Sequence, residues 1–208
     1  TRRPPRAREE ALRARALRLH RSALVIDTHS DTPPRILDEG FDLGRRSETG
    51  HMDIPRLREG GVGAVFFAIF VESQYAPDRA AHRALRMIDA FHREVARHPG
   101  EVAPALSVRD IRRLRRRGRI AALLGLEGGH ALEDDLGLLR VYHRLGARYL
   151  TLTHMKSNGL GDASTDEPRW GGLSPLGREV IREMNVLGIS KSIIFMMVKV
   201  VMMEVGMA

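Results

Sequence analysis

Four apolar runs punctuate the chain, at residues 24–29, 62–71, 120–126 and 148–153. Those at 62–71 and 120–126 have almost no polar interruption, the pattern of strands buried on both faces. Between the runs, apolar residues recur at helical spacing. Residues 9–22 carry Leu12, Ala16 and Leu19 near one face, continued by Ala23, which predicts an amphipathic helix leading into the barrel or sheet. Further helices are predicted over 53–59, 77–98 (Ala81, Leu85, Ile88, Phe91), 107–117, 134–145 and 174–187. Ser107 and Ser174 stand at N-cap positions, Pro175 at a first helical position, and Gly60-Gly61, Pro99-Gly100 and Gly188 at stops. Pro33-Pro34 predicts an end to the first strand, followed by a loop to about Gly50. Residues 158–172, rich in Gly, Asp and Pro and holding Trp170, predict a second long loop.

Strands that alternate with helices and are buried on both faces predict an α/β fold with a parallel sheet, because parallel strands need crossover helices. No Gly-x-Gly-x-x-Gly follows the first strand, so a dinucleotide fold has no support. Polar residues gather at the strands' C-terminal ends, where (β/α)8 barrels place their active sites. The fold class is therefore read as a partial (β/α)8 TIM-like barrel, its first four to five βα units. A length of 208 residues suits one domain or part of a larger one.

Composition narrows the chemistry. There is no cysteine, so disulfide scaffolds and thiolate zinc sites are excluded and any metal must be held by His, Asp and Glu. The formal charge is +8, carried by 31 Arg and 3 Lys. Aromatic residues are only 5%, too few for a platform that stacks single-stranded bases, so no nucleic-acid partner is expected. The arginines at 112–119 read as a solvated helix end, where cations complement the helix dipole. Residues 1–20 carry Arg throughout and no uninterrupted apolar core, unlike a signal peptide, which gives a cytoplasmic expectation with no membrane partner.

The densest chemistry lies in the first strand. Successive strand side chains alternate faces, so His29 and Asp31 project from one face as an imidazole–carboxylate pair, half of a first-row metal site. Glu127 ends the third apolar run, where a buried carboxylate is costly unless paired or metal-bound. Gly128-Gly129 beside it permits close approach. His154 follows the fourth run and is a candidate for polarising a substrate carbonyl. His130 lies beyond its strand and reads as the start of a turn. Each residue also has a bland reading, as a hydrogen-bonded or capping group.

Four blocks carry a resemblance: residues 25–31 (Val-Ile-Asp-Thr-His-Ser-Asp), 126–131 (Leu-Glu-Gly-Gly-His-Ala), 148–154 (Arg-Tyr-Leu-Thr-Leu-Thr-His) and 172–180 (Gly-Leu-Ser-Pro-Leu-Gly-Arg-Glu-Val). In this order and spacing the sequence resembles the membrane (renal) dipeptidase family, zinc peptidases of the amidohydrolase superfamily, over residues 10–189. The resemblance implies a (β/α)8 barrel with two zinc ions. His29 and Asp31 would be ligands of the first zinc, Glu127 the carboxylate bridging both, and His154 the residue that contacts the substrate's scissile carbonyl region. It implies hydrolysis of dipeptides by a metal-bridging hydroxide, with the intact enzyme a possible homodimer. Two other readings compete: an amidohydrolase-type metal hydrolase acting on an N-acyl amino acid, cyclic amide or lactone, and a non-catalytic Arg-rich binding module.

The resemblance fades at the end. Residues 190–208 contain no His, Asp or Arg but hold two of the three Lys and five of the nine Met. The family's later His ligands and catalytic Asp have no counterpart, so the chain is read as an N-terminal half with little activity alone. The expected organisation is a disordered basic segment 1–8, a half-barrel 9–189 and an unrelated apolar tail 190–208. That tail is too short and too charged for the roughly 20 apolar residues of a membrane span.

Overall fold

A computed structural model describes residues 6–191. Six parallel strands form one sheet: β1 (Val25–Ser30), β2 (Val62–Phe70), β3 (Val102–Pro104), β4 (Ile120–Glu127), β5 (Ala147–Thr151) and β6 (Ser190–Lys191). Seven helices connect or flank them: α1 (Arg6–Ser22), α2 (Thr32–Glu39), α3 (Ile54–Glu59), α4 (Ala80–Arg97), α5 (Val108–Arg116), α6 (Leu136–Arg144) and α7 (Pro175–Leu187). The strand order is β1-β2-β4-β5-β6, with β3 also on β4. It follows the sequence without reversing, as in a barrel wall and unlike a doubly wound sheet.

Side-chain alternation divides the core in two. Val65, Phe67 and Ile69 of β2 and Ala122, Leu124 and Leu126 of β4 face the main core, which also holds Met87, Phe91, Leu139, Val180 and Met184 from the outer helices. Ala64 of β2 and Ala121 and Leu123 of β4 face the other way, into a smaller cluster with Ile111 and Leu114 of α5, against which Phe66 packs. β3 and β5 share one side of β4: β3 pairs with Ile120–Ala122, β5 with the segment from Leu124 to Glu127. Helix α5 therefore closes the inner face near the strands' starts, leaving their C-terminal ends for the site.

Local chemistry explains the helix ends. Buried Asp53 caps α3 by accepting the Arg56 N–H, Ser107 caps α5 through the Asp110 N–H, and Ser174 caps α7 through the Gly177 N–H. Helix α7 stops at Gly188, whose φ of 70° is the left-handed conformation glycine adopts freely.

The structure corrects several expectations. Pro33-Pro34 does not open a loop. The prolines occupy the first turn of α2, where a missing N–H and a fixed φ cost nothing. Asp31 is no longer strand but the residue before that helix. Helix α6 starts at Leu136, because Glu133 and Asp134 have φ of 46° and 57°, outside the helical region. The short strands β3 and β6 were not foreseen. Helix α1 forms but starts at Arg6, and Leu12 and Leu19 are 55% and 59% exposed instead of facing a core. The expectations for residues 1–5 and for the tail from 192 to 208 lie outside the described residues. Among the described residues, no helix is long and apolar enough to cross a membrane.

Candidate metal centre

The four residues singled out by the sequence meet at the C-terminal ends of β1, β4 and β5. His29 is the fifth residue of β1, Asp31 follows the strand, Glu127 ends β4 and His154 lies three residues past β5. The Nε2 atom of His29 is 3.2 Å from Asp31 Oδ1 and 3.3 Å from Glu127 Oε2. The other carboxylate oxygen of Glu127, Oε1, is 3.3 Å from Nε2 of His154. One buried carboxylate thus faces an imidazole on each side. Its placement follows from β4, a strand buried along its whole length that brings its last side chain to the sheet's rim.

The donor set fits a divalent cation. One ligand atom each from His29, Asp31 and Glu127 lies within 4.8 Å of the others. The Glu127 side chain is 5% exposed, yet its Oε2 makes no hydrogen bond beyond the 3.3 Å ion-pair contact with His29. A buried carboxylate oxygen without a donor is costly, and a metal ion removes that cost. Electrostatics point the same way. The adjacent carboxylates of Asp31, then Glu127, outweigh burial and push His29 up to about 10. The same pairing with His29 holds the Asp31 carboxyl below its ordinary range against burial.

A second cluster, Asp42, Glu94 and His98, shows the contrast. Its carboxylates already have internal donors. Glu94 accepts the Leu43 N–H at 2.7 Å and an Arg97 N–H at 2.6 Å, and Asp42 accepts the Gly44 N–H at 2.9 Å. That cluster ties α4 to the loop after α2 and leaves no oxygen awaiting a cation.

Three neighbours of the site were not read from the sequence as part of it. Tyr149 of β5 places its hydroxyl 3.1 Å from Nδ1 of His29. Burial, then the charges of Glu127, Asp31 and Asp27, raise its phenol well above its ordinary value, so it stays protonated. Phe70 at the end of β2 packs its ring 5.0 Å from that of His154. His130, set aside as a turn residue, lines a cavity of about 120 Å³ with Phe70, Glu72, Ser73, His154 and Lys156. Burial lowers the pKa of His130, and its Nε2 is buried without a partner. The available signal was Gly125: a glycine inside a buried strand marks close approach by another group, and that group is Tyr149.

The loop after β5 holds His154 in place. Asp162 accepts backbone N–H groups from Arg169 at 2.8 Å, Trp170 at 3.0 Å and Gly172 at 2.9 Å. Asp166 accepts the Ser157 N–H at 2.8 Å, and Trp170 Nε1 donates to the Asn158 carbonyl at 3.0 Å. A segment without regular structure is thereby fixed by two carboxylates and one indole.

Known proteins resemble this chain in sequence and in fold. The sequence model of the family described as membrane dipeptidase (peptidase family M19) matches residues 13–200. Dipeptidase aclJ of Aspergillus oryzae is 38% identical over 148 residues, 67% of this chain and 35% of its own. Human Dipeptidase 3 is 35% identical over 188 residues, 85% of this chain and 38% of its own. Among solved structures, the probable dipeptidase PvdM from Pseudomonas aeruginosa superposes with a TM-score of 0.82 at 25% identity, over 90% of this chain and 50% of that one. A metallopeptidase from Rhodobacter sphaeroides, solved with a phosphinate mimic of the dipeptide L-Ala-D-Ala, gives 0.70 at 25% identity, over 81% and 57%. The chain thus spans between about a third and somewhat over half the length of the relatives it matches. The similarity makes the curled parallel sheet part of a TIM-like barrel.

Proposed function

This chain belongs to the membrane dipeptidase family, peptidase family M19, and on that premise we propose that it forms the metal-binding wall of a zinc-dependent dipeptidase. The observation that carries the reading is Glu127: a buried carboxylate with one oxygen facing His29, the other facing His154, and no hydrogen bond to Oε2. His29, Asp31 and Glu127 would hold the metal through one imidazole nitrogen and the carboxylate oxygens. Bound zinc supplies Lewis-acid polarisation of a carbonyl and lowers the pKa of water towards neutrality.

The protein's own groups do the rest. His154 stands beside Glu127 and at the edge of the cavity lined by Phe70 and His130. From there its Nε2 can donate to the carbonyl oxygen of a dipeptide seated in that cavity, where negative charge develops during hydrolysis. Phe70 packs against the His154 ring and limits its rotation.

A chimera tests the reading. Residues 13–191 would replace the matching segment of a longer family member, and hydrolysis of a dipeptide panel would be followed with zinc present. The chimera should turn over dipeptides. Glu127→Gln and His29→Ala should lose both zinc and activity, and His154→Ala should lose activity while keeping zinc. Turnover that persists in Glu127→Gln would refute the assignment.

A further inference from the structure

The inner face of the sheet is layered. Ala64 and Ala121 lie lowest, over α5, with Phe66 and Leu123 above them, then Gly125 with Tyr149, and finally Glu127 with His29. Tyr149 therefore stands directly beneath the metal cluster, and its hydroxyl is the group that meets the far side of the His29 ring. We propose that Tyr149 is a positioning residue for the metal centre: its phenolic oxygen accepts the Nδ1 proton of His29 and so fixes the tautomer and ring plane that present Nε2 to the metal. The proposal rests on the metal reading above and adds to it the device that orients one ligand.

Two observations carry it. The first is the division of labour on the imidazole. Nε2 faces Asp31 and Glu127, whereas Nδ1 lies 3.1 Å from Tyr149 Oη. A neutral imidazole that offers its Nε2 lone pair to a cation must carry its proton on Nδ1, and that proton needs an acceptor. The backbone N–H of His29 is also held, by Asp27 Oδ1 at 3.1 Å, so both the main chain and the ring are oriented.

The second observation is the space built for the phenol. Tyr149 lies in register with Gly125 on β4. A Cβ on Gly125 would fall 1.9 Å from Cζ of the Tyr149 ring, so only glycine lets the ring lie across β4. Phe66 packs on the ring with centroids 5.3 Å apart. Gly125 and Phe66 set where the ring lies, and the ring sets where the hydroxyl ends. A phenylalanine would fill this space equally well; the hydroxyl adds the contact to His29.

The test uses the full 208-residue chain and zinc(II). Zinc affinity is measured by competition with a chromophoric chelator for the parent, Tyr149→Phe and His29→Ala. Ring N–H signals are recorded on the zinc-loaded parent and Tyr149→Phe labelled with ¹⁵N-histidine. The expected result is a zinc dissociation constant about tenfold higher in Tyr149→Phe, the lower end of the range for lost partners of metal ligands. The parent should show a slowly exchanging Nδ1–H of His29 that Tyr149→Phe lacks, a signature that a packing role would leave unchanged. Equal zinc affinity of parent and Tyr149→Phe, with His29→Ala impaired, overturns the role of Tyr149 alone. A parent that binds no zinc overturns the metal reading and this inference together. Should Tyr149→Phe fail to fold, a zinc-loaded parent without a protected Nδ1–H overturns the proposal without any variant.

Discussion

Arg83 clasps Asp38 through two parallel hydrogen bonds, of 2.7 and 2.5 Å, between α4 and α2. The same guanidinium also reaches Glu72, in the segment that lines the cavity beside His154. The rim segments after β1 and β2 are thus joined through one side chain that is only 6% exposed. Removing one partner of a buried ion pair commonly costs several kcal/mol, but Asp38 is 51% exposed and can return to water. Arg83→Ala should therefore cost about 1–3 kcal/mol, and Arg83→Met less, because the apolar stem still packs. Urea denaturation midpoints measure this. Two variants within about 0.5 kcal/mol of the parent would show that the clasp contributes nothing.

Asp162 organises the loop behind His154, and its carboxyl titrates accordingly. Burial would raise its pKa, but the N–H groups of Arg169, Gly172, Trp170 and Gly171 outweigh burial and hold it below the ordinary value. Because the folded-state pKa is the lower one, the stabilisation is complete above the unfolded value of about 3.9. It is lost as the pH falls through the folded value. Asp162→Asn should melt earlier than the parent at neutral pH, and the gap should narrow below about pH 4. Paired thermal melts between acid and neutral pH give that difference directly. A gap constant across the range would remove the carboxylate from the account.

Gly177 sets two effects against each other. Gly177 stands in the first turn of α7, where glycine to alanine would ordinarily gain up to about 1 kcal/mol, the helix-interior value. Here a Cβ would lie 1.9 Å from the carbonyl oxygen of Leu160, a backbone atom that cannot swing aside. Gly177→Ala should therefore destabilise by about 1–3 kcal/mol, as overpacking does, and should loosen the loop that follows His154. A variant as stable as the parent or more so, by chemical denaturation, would contradict the contact.

Leu12 and Leu19 give a control of the opposite kind. Both lie on the exposed surface of α1. Leu12→Lys and Leu19→Lys should each change stability by less than about 0.5 kcal/mol, the usual size for surface positions. A loss several times larger would restore the core-facing helix that the spacing suggests.

The sequence discloses this fold unevenly, for physical reasons. Strands β2 and β4 are plain because burial on both faces leaves an unbroken apolar run, and the serine and aspartate caps mark helix starts by their own hydrogen bonds. Pro33-Pro34 misleads, since the same residues that end a strand also open a helix. Strand β3 has only Val102, Ala103 and Pro104, too few for any periodicity. Helix α1 has helical spacing, yet Leu12, Leu17 and Leu19 are exposed among the described residues, and spacing alone does not report what a face packs against. At the site, His29, Asp31, Glu127 and His154 were legible because charged or titratable groups at the ends of apolar runs are costly and therefore informative. Tyr149 was not. An aromatic residue in a strand looks like core, and its hydroxyl meets His29 only through the register of β4 and β5, which no local pattern encodes.

The register of β1 against β2 slips twice, the second time between Asp27 and Ser30, the span that contains His29. The ladder is therefore interrupted over Thr28 and His29, although Ser30 still pairs with Phe67. There the His29 ring is held by side-chain contacts with Tyr149, Asp31 and Glu127. Such a strand end can open by itself, at a lower free energy than the strands behind it. Without metal, the amides of residues 28–31 should exchange with deuterium faster than those of 121–126. Zinc should slow the former and leave the latter unchanged, making this stretch of backbone a reporter of whether the site is filled.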